Sequence, residues 1–198
     1  MNCQALIDTL QEENQALVCQ VEEEMRSLEL QQWIWRPEPT TWNVVEALEH
    51  LNLTLEKAFQ MISPELDQAI ADGLNPTETY SVGWVGELAV QLMDNSEERR
   101  FNVRMRTSKT LNPLERPLNE QKVLDEFLAH LNTYHTLLER SRLVPLGKVR
   151  VKVASGSFIR FRLGDTLRFF SAHTQRHITQ IQRLMEHERF PAPNKVQR

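Results

Sequence analysis

From Leu6 to Leu28 the apolar residues Leu6, Leu10, Leu17, Val21, Met25 and Leu28 recur three or four positions apart, or a multiple of that. This spacing is one face of an amphipathic helix, predicted over 3–30. Asn14 falls on the same stripe. "RPEPTTW" then breaks the chain, because Pro37 and Pro39 fit no helix interior. Thr40 or Thr41 is placed to cap a second helix over 41–72, whose stripe is Val44, Leu48, Leu51, Leu55, Phe59 and Ile62. Pro64 weakens the pattern and "ADGLNP" ends it. Leu124, Phe127, Leu131, Tyr134 and Leu138 mark a third helix over 119–141, with Pro117 just ahead. Leu167, Phe170, Ile181 and Leu184 mark a fourth over 165–189, stopped by Pro191.

Two stretches are less regular. Residues 74–118 separate the second and third helices and contain "VGELAVQLM", which suits one further short helix. A structureless loop of that length is unusual in a compact domain and is often functional. Before the fourth helix, "KVRVKVASGSFIRFRL" alternates Val149, Val151 and Val153 with Arg150 and Lys152. A Ser-Gly-Ser break there suits the turn of a short β-hairpin, or an extended loop. Four long amphipathic helices with few strands predict an all-α four-helix bundle, one domain over 1–198.

Composition adds mostly exclusions. The 198 residues are 40% hydrophobic and 25% charged, ordinary for a chain that buries a core. The net charge of -4 gives no reason to expect nucleic acid. The polar, acidic start reads as neither signal nor transit peptide, and no apolar run reaches bilayer-spanning length. A cytoplasmic protein that engages no membrane is the default. Cys3 and Cys19 form no CxxC, and on one helix they point different ways, so two reduced thiols are expected.

Chemistry rests with the histidines. In "FFSAHTQRHITQI" His173 and His177 stand four residues apart, so they point the same way, onto the apolar side of the fourth helix. A buried imidazole needs a hydrogen-bond partner or a metal. HxxxH on a helix brings two imidazole nitrogens toward one ion, but the same spacing also occurs in plain core pairs. His50, in "WNVVEALEHLNLTL", is the candidate third ligand. Its phase is awkward, about 140° from the centre of its stripe, so periodicity favours a solvent-facing residue. His135 lies on the apolar side of the third helix, as a hydrogen-bonded core residue or a fourth ligand. His130 and His187 read as solvated. Glu46, one turn before His50, reads as a surface acid or as a carboxylate orienting that imidazole.

"WNVVEALEHLN" followed far downstream by "FFSAHTQRHITQI" resembles the DinB-like superfamily of metalloenzymes. That family takes one ligand from a Trp…His segment on its second helix and two from HxxxH on its fourth. The resemblance implies His50, His173 and His177 as ligands of a divalent metal, nickel, zinc or iron, near the bundle surface. Arg176, His177 and Gln180 match the "RHxxQ" of one branch. The 74–118 segment is then the natural pocket wall, and a sideways presentation of His50 into that pocket accounts for its phase. The implied activity is that of a hydrolase or a thiol-dependent transferase acting on a small molecule with a cellular thiol. A non-catalytic helical interaction or stress-response protein is the alternative, and a homodimer suits either.

Overall fold

The computed structural model describes residues 1–93, 108–114, 117–152 and 159–193. Four long helices form the bundle: α1 (Cys3–Met25), α3 (Val44–Ala71), α5 (Glu120–Ser141) and α6 (Leu163–Met185). Between them lie α2 (Leu30–Trp33), α4 (Trp84–Met93), a 3₁₀ turn at Lys109–Leu111, and a two-stranded antiparallel hairpin of β1 (Arg150–Lys152) and β2 (Arg160–Arg162). The all-α bundle expected from periodicity is present, and so are the short helix in the long connection and the hairpin. The Ser-Gly-Ser turn expected at its tip lies outside the described residues.

Helix boundaries depart from the stripe in ways the local chemistry explains. The first helix stops at Met25, not at 30. The chain turns there, with the Leu28 amide donating to the Met25 carbonyl. It restarts as α2 behind a reciprocal cap between Glu29 and Gln32. The turn lets Trp33 sink into the core, its indole N–H donating to the Leu28 carbonyl. α3 begins at Val44, because Asn43, not Thr40 or Thr41, caps it: Asn43 Oδ1 accepts from the Glu46 amide and Glu46 Oε2 accepts from the Asn43 amide. α3 continues through exposed Pro64, held by buried Ile62 and Leu66 on either side. It ends at Gly73, whose φ of 66° is the left-handed conformation that glycine adopts without a Cβ penalty. α6 ends at Met185, well before Pro191, and the following turn brings Phe190 edge-on to Trp35 at 5.5 Å.

α1 and α3 each pack on both α5 and α6. The buried residues fall into two apolar clusters. One gathers Leu10, Leu66, Leu138, Leu146 and Leu167 toward the hairpin. The other gathers Val21, Trp33, Leu48, Phe127 and Ile181 toward α2. Asn14, the polar residue on the α1 stripe, is buried and donates to the Leu131 carbonyl, so it pins α1 to α5. Both cysteines are free, Cys3 buried and Cys19 exposed. No described helix is long and apolar enough to cross a membrane.

α4 is clamped against the start of α6. Asp165 accepts from the Gly83 amide at 2.9 Å and from the Tyr80 hydroxyl at 3.4 Å. Gly86 makes the close crossing possible, because a Cβ there would lie 2.5 Å from the Asp165 Cβ. Replacing a helical glycine by alanine ordinarily stabilises by about 0.5–1 kcal/mol. Here Gly86→Ala reverses the sign and costs about 1–3 kcal/mol, the usual range for overpacking. A lowered midpoint in urea unfolding is the expected result; a raised one would mean α4 is free to move away from α6.

Candidate metal centre

His50 stands about two turns into α3, in a segment that is buried all round. Every residue from Asn43 to Asn52 is buried. Cover comes from both sides. Arg36, just past α2, pairs with Glu46 at 2.8 Å. The 3₁₀ turn lies across α3, its Leu111 carbonyl 2.9 Å from His50 Nδ1 and its Thr110 hydroxyl 2.5 Å from Lys57 Nζ. The solvent-facing position that periodicity favoured for His50 is therefore wrong: the imidazole is only 4% exposed. The 74–118 segment touches the site here through its described 3₁₀ turn.

His173 and His177 project from adjacent turns of α6 toward His50. Ring centroids are 5.4 Å apart for His50 and His173, 4.7 Å for His50 and His177, and 4.7 Å for His173 and His177. Their candidate ligand atoms all lie within 4.8 Å of one another. Two nitrogens held by one ion at roughly 2.1 Å stand at most about 4.2 Å apart. The cluster is therefore close to, and slightly wider than, the spacing one ion would impose. Among the described residues this is the one cluster of its kind, and it contains no carboxylate or thiol.

Hydrogen bonds bear on which nitrogens are free to ligate. A carbonyl oxygen only accepts, so His50 Nδ1 carries the proton it donates to Leu111, and its Nε2 holds a free lone pair. The same logic applies to His177, whose Nδ1 lies 3.1 Å from Gln180 Oε1. His173 Nδ1 is buried without a partner. Trp42 stacks beside the cluster, its ring 4.8 Å from His50 and 6.1 Å from His177. Phe169 lies 6.0 Å from His173. Beyond Trp42 is a recess of about 190 Å³, whose walls include Pro37, Trp42, Gln180, Ile181, Arg183 and His187.

Burial holds all three imidazoles below the usual histidine range. It acts on His50 against a weaker opposing effect of the Leu111 hydrogen bond. His173 goes well below its ordinary value through burial first, then the nearby His177, His50 and Arg176. His177 falls to about 3, again through burial first and His50 second. At neutral pH the three are uncharged, the state in which imidazole ligates.

Other expectations need correction. Glu46 is neither a surface acid nor an orienter of His50; it caps α3 and pairs with Arg36. The group that orients His50 is the Leu111 carbonyl. Of the two readings of His135 the hydrogen-bonded one holds: it bonds Gln11 of α1 at 3.3 Å and takes no part in the cluster. His130 is half-buried, not solvated, with Nδ1 3.1 Å from Asn52 Oδ1. His187 is half-buried against Trp35, ring centroids 5.2 Å apart. Gln180 had no role assigned from sequence, although its position three residues after His177 is a legible signal. A backbone acceptor such as Leu111 leaves no such signal.

The family model of the DinB superfamily matches residues 20–181. The chain belongs to the DinB superfamily. The match runs from within α1 to Ile181 in the last turns of α6 and takes in all three clustered histidines. No curated protein and no solved structure matches this DinB-superfamily chain.

The depressed histidines make the metal-free protein acid-sensitive. Below the unfolded value of 6.5 an unfolded chain takes up a proton that folded His177 refuses down to about 3. Stability therefore falls as pH drops through that window, by up to about 1.4 kcal/mol per pH unit for each such histidine, and is unaffected above it. Urea unfolding of metal-free protein at several pH values between 6.5 and 4.5 is expected to show this slope, reduced in His177→Gln. A flat profile would show that the imidazoles are solvated.

Proposed function

We propose that His50, His173 and His177 hold one divalent metal ion and that the protein is a metal-dependent enzyme, a hydrolase or thiol-dependent transferase. The observation that carries this reading is the convergence of three neutral imidazoles from α3 and α6, two of them with Nε2 left free by a partner on Nδ1. The unpartnered, buried Nδ1 of His173 points to the same conclusion, because a native site seldom leaves such an atom unsatisfied. Imidazole suits zinc, iron and nickel alike, so the donor set does not choose among them.

A bound divalent ion would supply Lewis acidity, lowering the pKa of a coordinated water or thiol and polarising an electrophile. The protein's part is positional. The Leu111 carbonyl and the Gln180 amide hold two rings in the ligating tautomer and fix their angle. Three neutral ligands cancel none of the ion's charge, so the site favours an anionic ligand such as hydroxide or thiolate. Trp42 shields one flank of the imidazoles from water. The mostly apolar recess beyond it, with Arg183 on its wall, suits the non-reacting part of a small substrate. The recess and the open coordination positions left by three ligands favour a catalytic site over a closed structural one.

Metal analysis of protein purified without an affinity tag is the direct test. About one equivalent per chain is expected, lost in His50→Ala and in His173→Ala. Gln180→Leu should bind metal roughly 10–100-fold more weakly, the usual effect of removing a ligand's hydrogen-bond partner. Full metal retention in folded His50→Ala would sink the three-histidine site. Turnover is then sought with small thiols and electrophiles and with small esters and amides, loaded against metal-free protein. Metal-loaded protein that is inert across that panel would refute the enzymatic half.

A further inference from the structure

The outward face of the hairpin carries cations in register. Arg150 stands opposite Arg162, and Lys152 opposite Arg160, while Val151 and Phe161 between them turn into the core. Like charges placed directly across a strand pair weaken it, so this arrangement works against the hairpin's own stability. Lys148 adds a fifth cation just before β1. Five of the chain's 23 basic residues and none of its 27 acidic ones fall between 148 and 162. An overall charge of -4 with +5 in that span leaves -9 on the rest. The span is thus one cationic stretch of a chain whose net charge is negative.

Two of the five are answered from within. Arg160 lies 3.6 Å from Glu65, and half-buried Arg162 donates to the Ser81 carbonyl and lies beside the Asp165 carboxylate. Lys148, Arg150 and Lys152 have no ion-pair partner among the described residues. Large apolar side chains flank the same surface. The Arg162 side chain lies 3.9 Å from the place of a Cβ on Gly83, and the next residue, Trp84, is 81% exposed. Leu88, one turn further along α4, is 50% exposed, and Ile159, immediately before β2, is 58% exposed.

We propose that this face, hairpin cations flanked by Trp84, Leu88 and Ile159, docks peripherally on an anionic lipid surface. Cations there are attracted by lipid phosphates, and tryptophan with aliphatic neighbours favours the headgroup boundary. Leu88 and Ile159 offer no flat face to a nucleobase, and a single tryptophan makes a poor stacking platform for nucleic acid. The net -9 on the remainder is repelled by the same surface, which favours approach through the hairpin side.

The test is flotation of the full chain with vesicles. Binding is expected to mixed phosphatidylcholine–phosphatidylglycerol vesicles, not to phosphatidylcholine alone, with release at high salt. Neutralising two cations in Arg150→Gln/Lys152→Gln should weaken binding by about 30-fold, the loss of two interfacial charges. Thermal stability should hold or rise in that variant, because the opposed like charges are relieved, which separates lost binding from misfolding. Trp84→Ser should weaken binding with charge unchanged. The proposal is overturned if the chain ignores anionic vesicles at low salt, or if the neutralised variant binds them as well as the parent. It is also overturned if the hairpin cations instead retain a single-stranded oligonucleotide or drive self-association while vesicles are ignored.

Discussion

His50, His173 and His177 crowd together with ring centroids about one ring-width apart, in surroundings that take water away from all three. Two protonated imidazoles at that separation would repel by roughly 3 kcal/mol even at an effective dielectric of about 20. The cluster is therefore stable only while its members stay neutral, and a neutral imidazole must choose which nitrogen keeps its proton. The Leu111 carbonyl makes that choice for His50 and the Gln180 amide for His177. Both choices leave a lone pair free on the other nitrogen. Tautomer, ring angle and the chemistry available to the site thus follow from two acceptors, one on a connecting turn and one on the same helix.

The surroundings are arranged so that those acceptors stay in place. The N-terminal turns of α3 are enclosed by the chain on either side. Arg36 ties the segment after α2 to Glu46, and Asn43 donates to the Ile34 carbonyl. The 3₁₀ turn is held across α3 through Lys57 as well as His50. Glu46 is thereby shared between capping α3 and anchoring its neighbour, which leaves it no role toward the imidazole four residues on. At the other end of α6 the Asp165 carboxylate fixes α4 and the segment before it. The elements around the histidine side of α6 are thus anchored by polar contacts at the edges of the bundle as well as by Tyr80 and Trp33, which insert into its core.

How much of this could be read from residues alone follows from the same geometry. The four stripes were legible because α1, α3, α5 and α6 each bury one face along most of their length, and a one-sided helix writes its orientation into its sequence. His173 and His177 were legible as a pair for that reason. His50 was misplaced because the first turns of α3 have no solvent face: Glu46 and Glu49 are buried along with Val45 and Leu51. A helix covered all round by distant segments gives periodicity nothing to measure. Only the motif resemblance placed His50 with the other two. The Leu111 carbonyl was invisible to both approaches, since a main-chain acceptor is supplied by any residue. Helix ends failed where side-chain caps outweighed stripe length, at Asn43 and at the reciprocal Glu29–Gln32 contact.

The two apolar clusters also bear on what kind of metal centre the three histidines would form. Structural zinc sites supply folding energy, and proteins built on them unfold without the ion. Here Leu10, Leu66 and Leu167 on one side and Leu48, Phe127 and Ile181 on the other are buried without any contribution from the histidines. The triad lies on the flank where α3 and α6 meet, beside these clusters, so the bundle has a complete core with or without an ion. A fold that does not depend on a bound ion could leave coordination positions open on one, and open positions are what substrate chemistry requires. The cost falls on the metal-free imidazoles, buried and with His173 Nδ1 unsatisfied, which gives the free protein a standing preference for any ligand that takes up their lone pairs.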